Sequence, residues 1–203
     1  MLFLAGFEGP VSAAVPSVSD VISTMAVKGR APKTGYAREQ FGTPWKDVDG
    51  NDCDTRNDIL KRDLTAQVYK DGCTVLSGTL LDPYSGESIA FVRGVGTSSA
   101  IQIDHVVALS NAWQTGAFKF SIEKRTAMAN DPLNLFAVKG RLNSQKGDGD
   151  AATWLPPKKS FRCMYVAQQV AVKAKYGLWL TAPEKAAIIK IIATCPQQLL
   201  PTG

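Results

Sequence analysis

Four cysteines stand at positions 53, 73, 163 and 195, and no two of them form a Cys-x-x-Cys pair. A zinc ribbon or a thioredoxin-like redox site therefore finds no support, because both use that close spacing. Two disulfides are the simpler interpretation, and four cysteines permit three pairings. We favour Cys53–Cys73 with Cys163–Cys195, since each bond then closes a local loop and would stabilise the fold by roughly 3 to 4 kcal/mol. Four buried thiols in a cytosolic protein are the alternative.

The start of the chain also points to export. Residues 1–6 are apolar and Ser12-Ala13-Ala14 resembles a small-residue cleavage site, although the basic region of a signal peptide is missing. Disulfides persist in oxidising compartments. We therefore expect a secreted, extracellular protein in which residues 1–28 form an N-terminal arm, a candidate remnant of a signal peptide, and residues 29–203 form one domain.

Length and charge set broad limits on the function. The chain has 203 residues, enough for one domain with a substantial hydrophobic core. No apolar run approaches the roughly 20 residues that cross a bilayer, so we expect no membrane span. The 23 basic and 18 acidic residues give a net charge of +5. This balance favours contact with polyanions, but many proteins with a similar charge bind none.

Periodicity and turn signals predict an α+β fold. The segment between Tyr36 and Asn57 is polar and rich in turn-forming residues, which predicts a loop. Three β-like runs between residues 66 and 93 are separated by turn signals and indicate a small antiparallel meander. Helices are expected at 17–28, 58–64, 106–115, 121–130, 161–176 and 183–194 and, briefly, from Arg141; strands are expected at 66–69, 73–80, 88–93, 100–105 and 133–138.

His105 is the only histidine in the chain. Zinc sites with two histidines are therefore impossible, and a Ser-His-Asp or Cys-His hydrolase would need a convincing nucleophile beside this residue. His105 directly follows Asp104 at the end of an apolar run. Adjacent side chains of a strand point to opposite faces, so the two can serve different tasks. A hydrogen-bonded structural histidine is the alternative.

Four polar stretches follow one another along the second half of the chain. They are Asp104-His105, Asn130-Asp131-Pro132-Leu133-Asn134-Leu135, Asn143-Ser144-Gln145-Lys146-Gly147-Asp148 and Trp154-Leu155-Pro156-Pro157. In this order and spacing they resemble the HNH, or ββα-metal, endonucleases, and among them a group of small secreted bacterial HNH-like proteins. The resemblance implies a ββα-metal core beside the small antiparallel sheet, with helices around it.

The resemblance also implies roles for individual residues. Asp104 would be a metal ligand and His105 the general base, while Asn134 would hold the catalytic loop. Asn143 stands at the last position of the pattern, where a histidine or an asparagine serves as the second ligand. These oxygen ligands suit Mg²⁺, with Mn²⁺ as the alternative, and two protein ligands imply a weakly held ion. Histidine suits the role of base because its ordinary pKa, near 6.5, lets it take a proton from water at neutral pH.

Three basic residues are candidates to contact the phosphate of a substrate. Arg56 lies in the polar stretch that follows Cys53, where ion pairs and turn hydrogen bonds are the alternative. Lys146 and Arg141 lie near Asn143, where a solvated basic face is the alternative.

Together these observations predict a metal-dependent endonuclease that hydrolyses phosphodiester bonds of DNA, with RNA as a second candidate. The resemblance implies products with 5′-phosphate and 3′-hydroxyl ends. We expect little sequence specificity, because no separate recognition helix or finger is present and backbone contacts carry no base information. We expect a monomer, and the sequence identifies no protein inhibitor. The alternative is an inactive secreted protein of the same fold that binds nucleic acid or a protein partner.

Overall fold

The computed structural model describes residues 15–202, so the predicted cleavage site at Ser12-Ala13-Ala14 lies outside it. The chain mixes helices with short antiparallel strands, which confirms the α+β prediction. The helices are α1 (Val18–Thr24), α2 (Thr55–Asp63), α3 (Leu109–Gln114), α4 (Ile122–Ala129), α5 (Gly140–Lys146), α6 (Arg162–Tyr176) and α7 (Ala182–Ile192). The strands are β1 (Leu64–Tyr69), β2 (Val75–Leu81), β3 (Ser88–Val92), β4 (Ile101–His105) and β5 (Leu135–Lys139).

The first sheet is the predicted meander, with antiparallel strands in the order β1-β2-β3. Leu80 of the central strand pairs with Leu64 on one side and with Ile89 on the other. Leu64 and Leu80 are buried together with Ile59 and Leu60 of α2. Burial of these side chains fixes the sheet against the helix, because large apolar side chains each stabilise the fold by about 1.5 to 3 kcal/mol when removed from water.

The second sheet consists of β4 and β5, and α5 follows β5 directly. Asp104 pairs with Phe136, and His105 pairs with Leu135 at the end of the ladder. The turn into α5 requires a glycine, because a Cβ atom on Gly140 would lie 2.1 Å from the backbone oxygen of Ser99. Strand, strand and helix thus form the ββα unit that carries Asp104 and His105.

Helix α6 packs at the centre of the C-terminal half, where Val166 and Val170 are fully buried. Its core cluster includes Ile188 of α7 and also Val18 and Ile22 of α1. The helix that the sequence analysis places in an N-terminal arm therefore packs into the core of the domain.

Both disulfides that we favoured are present. Cys53–Cys73 joins the loop before α2 to the turn between β1 and β2, and Cys163–Cys195 joins the start of α6 to the segment after α7. Each bond therefore closes one local loop. Within residues 15–202, no helix combines the length and apolar character that crossing a membrane requires.

Candidate active site

An open cleft of about 290 Å³ lies at the end of β4. Asp104 and His105 line it from the strand, and Asn143 lines it from α5. The structure thus brings together three predicted site residues that are up to 39 positions apart in the sequence. This convergence follows from the ββα unit, in which α5 begins directly after the strand that pairs with β4.

His105 is nearly buried, with 8% of its surface exposed. Its Nε2 atom lies 2.8 Å from the backbone oxygen of Ala129. Because a carbonyl oxygen only accepts hydrogen bonds, Nε2 donates here and Nδ1 is the nitrogen that can take up a proton. Burial lowers the pKa of His105 to about 4. The imidazole is therefore neutral near pH 7, as a general base must be.

Trp45 covers the imidazole of His105. The two rings are stacked, with centroids 5.9 Å apart and an angle of 14° between their planes. Trp45 has a φ of 57°, which is costly for a bulky side chain. Backbone strain of this kind concentrates at functional sites. The sequence marks Trp45 as a residue that pins the loop together with the disulfide at Cys53, but nothing in the polar segment around it indicates contact with His105.

Asp104 is buried and both of its carboxylate oxygens accept hydrogen bonds. The hydroxyl of Tyr84 donates to Oδ2 at 2.5 Å, and the ammonium of Lys146 donates to Oδ1 at 2.8 Å. Burial, followed by the charge of Asp104, raises the pKa of Tyr84 well above its usual value. Tyr84 therefore stays protonated and acts as a donor.

Lys146 does not lie at a surface that could contact phosphate, where the sequence predicts it. Only 3% of its surface is exposed, and its ammonium group donates to Asp104 and also, at 2.8 Å, to the backbone oxygen of His105. It therefore does not face a substrate phosphate. The physical reason is the buried charge of Asp104, since a carboxylate removed from water needs a cation beside it. Lys146 instead fixes the two residues at the end of β4.

Asn134 is fully buried and holds the backbone that follows His105. Its Oδ1 atom accepts a hydrogen bond from the backbone N–H of Val107 at 2.9 Å, and its own backbone oxygen accepts one from Val106 at 2.8 Å. Its Nδ2 atom donates to the backbone oxygen of Met128 at 3.4 Å. Asn134 thus ties the segment that follows β4 to the end of α4.

Asn143 is half-buried and its amide has a fixed orientation. Its Nδ2 atom donates to the side-chain oxygen of Gln102 at 2.9 Å, which leaves Oδ1 as the atom available to a ligand. Asn143 and Asp104 both line the cleft, and amide and carboxylate oxygens are hard ligands of the kind that Mg²⁺ prefers, but both carboxylate oxygens of Asp104 already accept hydrogen bonds. Within residues 15–202, no group of three or more histidine, cysteine or acidic side chains is placed to hold a metal ion. Water and substrate phosphate would supply the remaining ligands.

Arg56 and Arg141 do not line the cleft. Arg56 donates to the backbone oxygens of Ser98 at 3.5 Å and Ile101 at 3.2 Å, so it holds the segment that leads into β4. Burial, followed by the charge of Arg93, lowers the pKa of Arg56. Arg141 is exposed on α5. The structure thus separates both residues from Asp104 and His105.

The cleft also contains Arg38, which the sequence analysis did not select. Arg38 begins a short 3-10 helix, Arg38–Phe41, in the segment that we expected to be a loop. It lines the cleft and also the smaller apolar pocket formed by Trp45 and His105. No motif marks this arginine, and only the fold brings it near His105.

The chain is similar to a known protein family and to a protein of a fungus. Residues 54–191 match the family described as the C-terminal domain of GmrSD restriction endonucleases, which is of the HNH type. The chain is also 35% identical over 191 residues to a protein of Arthroderma benhamiae named "uncharacterized secreted protein", covering 92% of this chain and 90% of that protein. No solved structure matches.

The matched range contains the whole ββα unit, with Asp104, His105, Asn134 and Asn143. It begins after Arg38 and Trp45. Nucleases of the HNH type generally use a divalent metal ion, and the match indicates a nuclease-related function with a nucleic acid as substrate. The two disulfides and the secreted relative are consistent with an extracellular location. From the HNH-like resemblance, the ββα geometry and a family match over most of its length, it follows that the chain belongs to the family of GmrSD restriction-endonuclease C-terminal domains.

Proposed function

We propose that this protein is a secreted, metal-dependent endonuclease that hydrolyses phosphodiester bonds of DNA. The observation that carries the proposal is that Asp104, His105 and Asn143 line one cleft. RNA is a second candidate substrate. Little sequence specificity is expected, because the groups that line the cleft suit the phosphate backbone and present no element that reads bases.

His105 is the proposed general base. Its Nδ1 atom takes a proton from the attacking water, while Nε2 keeps its hydrogen bond to the backbone oxygen of Ala129. That bond and the stack with Trp45 hold the imidazole in one orientation. A positioned base of this kind typically accelerates a reaction by about 10² to 10⁴-fold.

Asp104 and Asn143 are the proposed ligands of the divalent cation, Mg²⁺ or alternatively Mn²⁺. When bound, such an ion stabilises the negative charge that develops on the phosphate oxygens. Asn134 holds the backbone that follows His105, and Lys146 fixes Asp104 and the carbonyl of His105. The groups that do the chemistry are thus held by buried hydrogen bonds and are in place before substrate arrives.

One observation favours the inactive alternative. The carboxylate of Asp104 is already paired with the ammonium of Lys146, and a cation close to Asp104 opposes the binding of a second one. A protein that kept the fold without catalysis would bind DNA in a salt-dependent way and show no turnover.

Cleavage of a supercoiled plasmid tests the proposed function. We expect nicking and linearisation in Mg²⁺ or Mn²⁺, no cleavage in EDTA, and recovery when the metal is added back in excess. Asn143→Ala should raise the metal concentration needed for half-maximal cleavage, because one of two protein ligands is lost. Binding without cleavage in every divalent ion tried would favour the inactive alternative. Cleavage that is unchanged in EDTA would contradict the metal requirement.

The burial of His105 also predicts an unusual pH profile. A base works only when it is unprotonated, and the folded pKa of His105 is lowered to about 4. We therefore expect kcat/KM to hold as the pH falls through 6.5, the ordinary value for histidine, and to drop only as it approaches about 4. Initial rates on a fluorogenic oligonucleotide measure this profile, with circular dichroism to show that the fold persists. An acid limb centred at pH 6 to 7 would contradict a buried neutral base.

A further inference from the structure

Residues 36–45, here called the N-terminal wall, line the cleft and the adjoining pocket beside His105. They precede residue 54, where the family match begins. The family domain therefore supplies Asp104, His105 and Asn143, whereas Arg38 and Trp45 come from a part of the chain that the match leaves out.

The backbone of the N-terminal wall is fixed to the domain. Phe41 is buried in the same core cluster as Val107 and Leu109. The ring of Tyr36 packs edge-on against Trp113 at 6.1 Å. Arg125 of α4 donates from Nε to the backbone oxygen of Gln40 at 2.5 Å. These contacts place the backbone of Arg38 in one position at the rim of the cleft, although its side chain is exposed.

Arg38 is unlike most other arginines of the chain. The sequence has eight arginines, and six of them bind backbone oxygens or acidic side chains: Arg30, Arg56, Arg62, Arg93, Arg125 and Arg162. Only Arg38 and Arg141 lack a hydrogen bond or an ion pair to any residue in the range 15–202. Of these two, Arg38 alone lines the cleft. Its guanidinium group is therefore free to bind a ligand there.

Among the charged side chains that line the cleft, Arg38 is the one without an oppositely charged partner. Asp104 is paired with Lys146, and Asp148 is paired with Lys33 at 2.5 Å. With these pairs neutral, the remaining charge is the +1 of Arg38. This charge lies close to His105, since both residues line the cleft and also the adjoining pocket. A cleft with this balance attracts an anion to a place beside the base.

We propose that Arg38 binds the non-bridging oxygens of the phosphodiester that occupies the cleft. This inference rests on the proposed nuclease function and extends it by naming the residue that holds the substrate anion. The planar guanidinium group can donate two parallel hydrogen bonds to a phosphate. Charge on the phosphate oxygens grows as water attacks, so the same contact also stabilises the transition state.

The test measures binding and cleavage separately. Wild type, Arg38→Ala, Arg38→Lys and the control Lys190→Ala are titrated against a fluorescein-labelled DNA duplex in EDTA, with anisotropy as the signal. Lys190 is exposed on α7, so its replacement removes the same charge outside the cleft. Arg38→Ala should weaken binding about 10-fold or more and reduce the slope of log K against log salt by about 1. Lys190→Ala should retain the wild-type affinity.

Cleavage in Mg²⁺ then separates charge from geometry. Arg38→Ala should lose about 10² to 10³-fold in kcat, the usual effect of removing one donor to a developing negative charge. Arg38→Lys should recover the salt slope but not the full rate, because an ammonium group cannot donate the two parallel bonds. Equal melting temperatures for all variants are expected, because the side chains of Arg38 and Lys190 are both exposed.

The outcomes also separate this inference from the proposed function. If wild type never cleaves but Arg38→Ala binds DNA more weakly than Lys190→Ala, the phosphate site stands and the hydrolase proposal fails. If wild type cleaves, and Arg38→Ala binds and cleaves like Lys190→Ala, the phosphate site is refuted and the hydrolase stands. Failure of wild type to bind DNA in EDTA refutes the phosphate site as well. If Arg38→Ala does not fold, Arg38→Lys is compared with Lys190→Ala in its place.

Discussion

Replacement of His105 by alanine is expected to lower the rate of plasmid cleavage by about 10² to 10⁴-fold, the usual contribution of a positioned general base. The reason is that no other histidine exists to replace it. DNA binding in EDTA should be nearly unchanged, because the neutral imidazole contributes no charge to the anion. A loss of turnover with retained binding therefore identifies His105 as the base and excludes a role limited to substrate affinity.

Two further measurements make the His105 experiment decisive. His105→Gln keeps an N–H donor for the backbone oxygen of Ala129 but has no group that binds a proton at neutral pH, so it should be as inactive as His105→Ala. Added imidazole should restore part of the activity of His105→Ala, because the deleted side chain leaves a space in the cleft. Cleavage by both variants at the rate of the control Lys190→Ala would rule out the proposed base.

Removal of Lys146 is expected to have the largest effect on stability. Lys146→Ala leaves the carboxylate of Asp104 buried without its cation, and breaking a buried ion pair from one side costs about 3 to 5 kcal/mol. Urea unfolding followed by circular dichroism measures this loss. The matched control is Lys139→Ala, because the Lys139–Glu87 pair is at the surface, with 32% and 57% of the two side chains exposed. Such a pair is worth about 0 to 1 kcal/mol.

A double variant separates the lost ion pair from lost packing. When Lys146→Met is combined with Asp104→Asn, no buried charge remains, so much of the stability lost in Lys146→Met should return. The asparagine at position 104 still offers an oxygen to the hydroxyl of Tyr84. If Lys146→Ala costs no more than Lys139→Ala, or if the double variant only adds the two single losses, the structural role assigned to Lys146 is wrong.

Most of the secondary structure could be predicted from local signals. The apolar pattern and Gly177 predict a helix at 161–176, and α6 runs from Arg162 to Tyr176, followed by Gly177 with a φ of 73°. The larger errors have tertiary causes. A helix was predicted from residue 106, but α3 begins at Leu109 because the backbone N–H groups of Val106 and Val107 bind Asn134.

The site was less predictable than the fold. The motif predicts that Asp104, His105 and Asn143 come together, and all three line one cleft, because a ββα unit converts fixed spacing into proximity. It could not distinguish a lysine that meets phosphate from one that neutralises a buried aspartate, and Lys146 is the second kind. Nor could it choose between Arg56 and Arg38, since both are basic residues in polar segments and only tertiary packing decides which one reaches the cleft.

The N-terminal wall lies outside the range that the family match covers, and this has a consequence for substitutions there. The groups proposed to break the bond belong to the shared family domain, while the residues that cover them are encoded upstream of it. Substitutions in the wall can therefore change substrate affinity and rate while the residues proposed to break the bond stay the same. The two parts of the cleft can thus be altered separately by mutagenesis.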